Sequence, residues 1–331
     1  MLELKDKRYT DVRLIFEENG HKYHDTFGNE FISTTTLLHN YVPKFDKEYW
    51  LNKKSKELGI SKKRLEQQWD TITKEACSRG TATHNGLEEG IKSSSMFKKA
   101  IKWMIKDNGE MITVADIPDI NTDIKVLEID EFKDMTNGKY PEIYRVFQWY
   151  VDRGYKIYSE IGMFLIDSLI SGTIDVLLIR DDDFVIGDWK TNRGGLQFEA
   201  GYYKKDKSQT PAQMTNQWVS KKEYLLPPVA NLQNCNGSVY NLQLSLYAYA
   251  VQKILGLPCK GLWLCHIDSD FVLNEYGMPK RFPDGLYHIK QNPIEKTTFH
   301  KMPYRYYEIE RIVADRERMI RAARISEKTL F

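Results

Sequence analysis

The chain has 331 residues, 41% hydrophobic and 28% charged, with 48 Lys and Arg against 46 Asp and Glu for a formal net charge of +2. That composition fits a globular protein rather than a disordered, collagen-like or coiled-coil chain, and the length supports a full core without disulfide or metal staples. It withholds the basic excess that usually marks a nucleic-acid binder, and no run approaches the roughly 18 apolar residues of a membrane span.

In chain order, residues 1–45 read as an N-terminal hairpin and short helix. The segment 12–33 alternates apolar and polar residues about the turn signals Asn19-Gly20 and Gly28-Asn29, and Thr34, Thr35 and Thr36 offer N-cap hydroxyls. Residues 46–108 form a helical region of two or more helices, whose Lys53, Lys54, Lys56, Lys62, Lys63 and Arg64 read as a solvated face. Residues 109–140 are an acidic insertion, an edge element or excursion that keeps away from any phosphate path. Residues 141–268 read as the core: an amphipathic helix at 141–153, strands at about 155–166, 172–180 and 184–191, a mostly irregular span 192–238 carrying Pro211, Pro227 and Pro228, a helix at 239–255 and a buried strand at 261–267. Residues 269–331 are a C-terminal segment ending in a long helix at about 304–326. There is no internal repeat, and the pieces read as one domain.

No apolar h-region occurs near Met1, so a signal peptide is not expected. The cysteines Cys77, Cys235, Cys259 and Cys265 have no C-x-x-C spacing, which suits reduced thiols and a cytoplasmic setting. P-loop, H-E-x-x-H and G-x-S-x-G motifs are all absent.

Chemistry concentrates in Gly172-Thr173-Ile174-Asp175 and Asp188-Trp189-Lys190-Thr191. Folding this apolar hairpin about Asp181-Asp182-Asp183 sets Asp175 opposite Asp188 or its neighbour. Alternation puts Asp188 and Lys190 on one face with Trp189 turned away. Two carboxylates and an ammonium at the end of an apolar hairpin are costly if unpaired, and a divalent cation with hard oxygen ligands resolves the cost. The Trp189 backbone carbonyl offers one more oxygen. Such a site activates water and offsets charge growing on a phosphate. Asp-x-Lys by itself also suits a buried ion pair capping a hairpin; the flanking residues favour the metal site.

This segment resembles the PD-(D/E)xK nuclease superfamily in its RecB-like exonuclease branch, where a G-x-x-D strand precedes a D-x-K-T strand. The resemblance implies metal binding by Asp175 and Asp188 and catalysis by Lys190. Gly80-Thr81-Ala82-Thr83-His84 with Glu88 resembles the branch's G-T-x-x-H-x-x-x-E motif, implying His84 as a metal ligand and Glu88 as a partner fixing its tautomer. Glu160, on the preceding strand, matches a weaker acidic position near the metal. Gln243 and Tyr247 resemble a Q-x-x-x-Y motif; with Thr191 they are implied substrate contacts, or a brace for the lysine. The matches run from Gly80 to Tyr247, about half the chain. Some relatives carry an iron–sulfur cluster, and the cysteine count matches, but Cys235 precedes the Gln243 helix, so the spacing argues against one.

The expected fold is therefore α/β, a restriction-endonuclease-like core with a central mixed β-sheet flanked by helices, plus an N-terminal β-hairpin and helical additions. The expected function is a DNA exonuclease using one or two Mg²⁺ or Mn²⁺ ions and a metal-activated water, in recombination, repair or phage DNA processing. The expected partners are DNA, a separate helicase or single-strand annealing protein, or further copies of the chain, and no membrane. A structure-specific endonuclease, or a non-catalytic DNA-binding or assembly protein on a nuclease core, are the alternatives.

Overall fold

In the computed structural model, which describes residues 2–4, 14–17, 22–94, 101–105, 111–115 and 126–329, the N-terminal part runs β1 (Leu2–Leu4), β2 (Leu14–Glu17), β3 (Lys22–Asp25), β4 (Glu30–Ser33), α1 (Thr34–His39), α2 (Lys47–Leu58), α3 (Lys62–Ser94), β5 (Ile101–Ile105) and β6 (Met111–Ala115). It continues with α4 (Ile129–Met135), α5 (Pro141–Val151), β7 (Lys156–Leu165), β8 (Ile170–Ile179), β9 (Phe184–Lys190), β10 (Gly201–Asp206) and β11 (Gln213–Ser220). The last elements are α6 (Asn236–Leu255), β12 (Cys259–Asp268), β13 (Lys296–Met302) and α7 (Tyr306–Thr329).

The apolar runs of β8 and β9 are hydrophobic on both faces because helices cover both. On one face Ile174, Leu177, Phe184 and Ile186 pack with Leu244, Leu246 and Val251 of α6 and with Ile309 and Ile312 of α7. On the other, Val176, Leu178, Val185 and Trp189 pack with Leu87 and Ile91 of α3, Phe132 of α4 and Phe147 of α5. The β8–β9 turn is locked by Asp183, which is buried, accepts from Arg180 Nε at 3.0 Å and also bonds the Tyr155 hydroxyl. The result is an α/β fold with a central mixed sheet between helices. Among the described residues no helix is long and apolar enough to cross a membrane.

The sheet forks at β8. One edge of β8 pairs antiparallel with β7 from Ile170 to Ile179, with a break at Asp175. The other edge pairs parallel with β4 at Ile170 and Ser171, then antiparallel with β9 from Val176 to Ile179. Residues 172–175 pair with neither of these two strands, so the sheet is open there. From the fork, β9–β12–β13 continue one way and β4–β3–β2–β6–β5 the other.

Several expectations need correction. The α1 cap is Ser33, whose side chain accepts from Thr36 N, rather than a threonine. Residues 101–105, expected to be helical, form β5 and pair with β6. Of the two readings of the acidic segment, a sheet element is found at β6, and Phe132 of α4 is fully buried against Tyr144 and Phe147, whereas residues 116–125 lie outside the described residues. The span 192–238 holds a separate two-stranded ribbon, β10–β11. β13, in the stretch preceding the C-terminal helix, was not anticipated either.

Candidate metal centre

Strand register sets three acids in one row. The β7–β8 ladder pairs Ser159 with Val176 and Ile161 with Ile174, so Glu160 stands opposite Asp175. The β8–β9 ladder ends at Val176 and Gly187, and one further step brings Asp175 level with Asp188. Like charges directly opposite on adjacent strands are destabilising. The ladder yields to them: Glu160 adopts a left-handed φ of 53°, and the Trp189 N–H donates to Asp175 Oδ2 at 3.0 Å, where a neighbouring strand would accept. Ser159 Oγ donates to the Asp175 carbonyl at 3.0 Å and holds the strand beneath it.

The fourth group arrives on α3. Leu87 and Ile91 anchor this helix in the core, and Gly80 allows its close approach, since a Cβ there would lie 3.2 Å from Thr191 Oγ1. His84 Nδ1 then lies 3.4 Å from Asp175 Oδ2. One ligand atom each from His84, Glu160 and Asp175 falls within 4.8 Å of the others, so these three could hold a metal ion.

Lys190 completes the centre. Its ammonium forms an ion pair with the buried Asp188, donates to Gln243 Oε1 at 3.3 Å and lies 4.5 Å from the centroid of the Tyr240 ring. Gln243 Nε2 donates to Tyr247 Oη at 3.2 Å. Tyr247 is buried, and it reaches the strand because residue 172 is glycine: a Cβ there would stand 2.9 Å from the Tyr247 ring and 2.8 Å from Thr34 Oγ1.

Burial, with the Asp175 and Glu88 carboxylates added, pushes the Glu160 carboxyl up to about 9. Burial also raises Asp188, to about 6, against the pull of Lys190. Burial works against the Lys190 ammonium, yet Asp188 and Asp175 outweigh it and hold Lys190 above its ordinary value. Asp188 Oδ1 is buried without a hydrogen-bond partner. Excess carboxylate, an unanswered buried oxygen and an adjacent imidazole make a donor set that could hold a metal ion.

Of the residues singled out from sequence, His84, Glu160, Asp175, Asp188, Lys190 and Gln243 therefore converge. Thr191 packs on Gly80 at the rim. Glu88 departs from its expected role: its carboxylate pairs with Lys92 one turn on, and the carboxylate that meets His84 is that of Asp175. Trp189 buries its indole against Phe147 and Trp263. Tyr240 was overlooked; the spacing Tyr240, Gln243, Tyr247 is an i, i+3, i+7 stripe on one face of α6, and that periodicity was its signal. Lys92 was overlooked too.

Comparison with protein-family models, with curated proteins and with solved structures gives no match.

Proposed function

We propose that the protein is a divalent-metal-dependent DNA exonuclease on a restriction-endonuclease-like core of the PD-(D/E)xK type. The observation that carries the reading is the row Glu160–Asp175–Asp188 across three strands, with His84 3.4 Å from Asp175 at one side and Lys190 against Asp188 at the other. His84, Glu160 and Asp175 would hold the cation, with Asp188 and the Trp189 carbonyl at its border. The bound cation would supply Lewis-acid activation of water and neutralisation of phosphate charge. Asp188 and Gln243 aim the Lys190 ammonium, which donates to a phosphate oxygen or orients the attacking water. The Lys190 proton is retained because the surrounding carboxylates favour the charged form.

The preference for exonuclease over endonuclease rests on the motif resemblance. The test uses end-labelled linear DNA and covalently closed circles with Mg²⁺, Mn²⁺ or EDTA. Linear DNA is expected to be degraded in either metal and spared in EDTA, with circles intact. Nicked circles would reassign the activity as endonucleolytic, and no cleavage in either metal would overturn the reading. Asp188→Ala and Lys190→Ala are each expected to lower cleavage at least about a hundredfold, with DNA binding retained.

A further inference from the structure

Beside the metal centre, α3 and the chain around residue 287 enclose an open cleft of about 650 Å³, lined by Lys74, Ser78, Arg79, Tyr287 and His288 among others. Arg79 is five residues before His84, about 7.5 Å along the helix. Its guanidinium lies 5.2 Å from the Phe271 ring centroid, and its Nε is buried without a hydrogen-bond partner. Arg193, three residues after Lys190, stacks on Tyr287 at 3.7 Å. Arg281 spends one N–H on the Gly285 carbonyl at 3.3 Å. Lys205 on β10 is exposed and near enough to Arg281 and Arg193 to feel their charge.

These four cations differ from the arginines that are held in ion pairs. Arg145, Arg180, Arg311 and Arg318 each meet a carboxylate. Among the described residues no ion pair involves Arg79, Arg193, Lys205 or Arg281. Of the carboxylates nearby, Asp284 bonds His288 at 2.9 Å and Glu57 pairs with Lys54, while Glu75 belongs to the cleft wall itself beside Lys74 and Arg79. Burial, then Arg79 and Arg281, hold Arg193 below its ordinary value, so the cluster strains against itself. Half-buried guanidinium groups on aromatic faces, outside any ion pair, favour an anionic partner.

We propose that this cleft and the cations beside it form the path of a single nucleic-acid strand entering or leaving the metal centre, its phosphates met by Arg79 in the cleft wall and by Arg193, Arg281 and Lys205 alongside it. The proposal rests on the nuclease reading and names its substrate form. The cations come from four segments of chain, which suits a run of phosphates rather than one small anion. The volume is that of a nucleotide-sized ligand. A basic groove with aromatic rings is how single strands are held without sequence preference.

The test is fluorescence anisotropy of a labelled single-stranded oligonucleotide binding the full chain in EDTA, across a salt series. Wild type is expected to bind more tightly to the single strand than to a blunt duplex or to polyglutamate of equal charge. Arg79→Gln/Lys205→Gln/Arg281→Gln is expected to lose roughly thirtyfold in affinity, with the slope of log affinity against log salt reduced by about two. If the triple variant fails a thermal-melting check, Lys205→Gln alone is expected to lower the slope by about 0.7. An unchanged slope, or equal affinity for polyglutamate, overturns the strand path. Binding needs no metal, so failure of cleavage in Mn²⁺ with this slope change intact would sink the catalytic reading alone.

Discussion

Glu160 is the residue on which the electrostatics turn. An acid held above its unfolded value binds more protons folded than unfolded between the two values, so stability falls as pH rises through that window. For Glu160 the window runs from its ordinary value, about 4.5, to about 9. In EDTA the melting temperature is therefore expected to fall from pH 6 to pH 9, and Glu160→Gln to flatten that fall and melt higher than wild type at pH 9. Thermal melting across pH decides it; a variant that parallels wild type would mean that Glu160 is not held protonated. Gln243 makes a separate prediction, as a positioning residue for Lys190. Gln243→Ala is expected to slow cleavage about tenfold while oligonucleotide affinity in EDTA stays the same. A loss of affinity with the rate at saturation unchanged would make Gln243 a DNA contact instead. Asp175, Asp188, Lys190 and His84 were legible from sequence because each lies in a short motif whose spacing fixes its face. The pairing of Glu88 with Lys92 was not, because Lys92 lies the same distance beyond Glu88 as His84 lies before it, so helical spacing could not choose between them.

At the scale of elements, the centre depends on close approaches that only glycine permits. A Cβ on Gly187 of β9 would lie 2.1 Å from the Trp263 indole of β12. Gly187→Ala is expected to cost at least about 1–3 kcal/mol, read from urea denaturation. In a double-mutant cycle with Trp263→Leu a favourable coupling of at least about 1 kcal/mol is expected, because the smaller side chain removes the clash. Additive losses would place the damage elsewhere. Elements with strong apolar patterning, namely α5, α6, β8, β9 and β12, were readable from the chain. β10 and β11 were not, since a two-stranded ribbon with no buried apolar residue has no hydrophobic period to show. β5 follows a Lys-rich helical stretch with residues that suit a helix, and its strand state depends on pairing with β6, which local sequence does not encode.

For the whole molecule, the net charge of +2 conceals a separation. Acids gather at the sheet fork, and Arg79, Arg193 and Arg281, outside any ion pair among the described residues, lie near one another around Tyr287. The folded state thus carries like-charge repulsion in two places, each relieved by a ligand of opposite sign. Mn²⁺ is expected to stabilise the protein by about 2.7 kcal/mol at a hundred times its dissociation constant, seen as a rise in melting temperature that grows from pH 6 to pH 8 as protons stop competing for Glu160. Asp175→Asn is expected to abolish that rise, and a rise that persists in the variant would place the ion elsewhere. The sheet fork that opens residues 172–175 was invisible in the sequence, because it arises from the pairing of β4 and β9 along one edge of β8. The most direct measurement is an anomalous difference map from crystals grown with Mn²⁺. The expected result is a peak within coordination distance of His84, Glu160 and Asp175, absent in Asp175→Asn crystals. A map without density at the fork, under conditions where Mn²⁺ supports no change in melting, would contradict the metal centre and the nuclease assignment built on it.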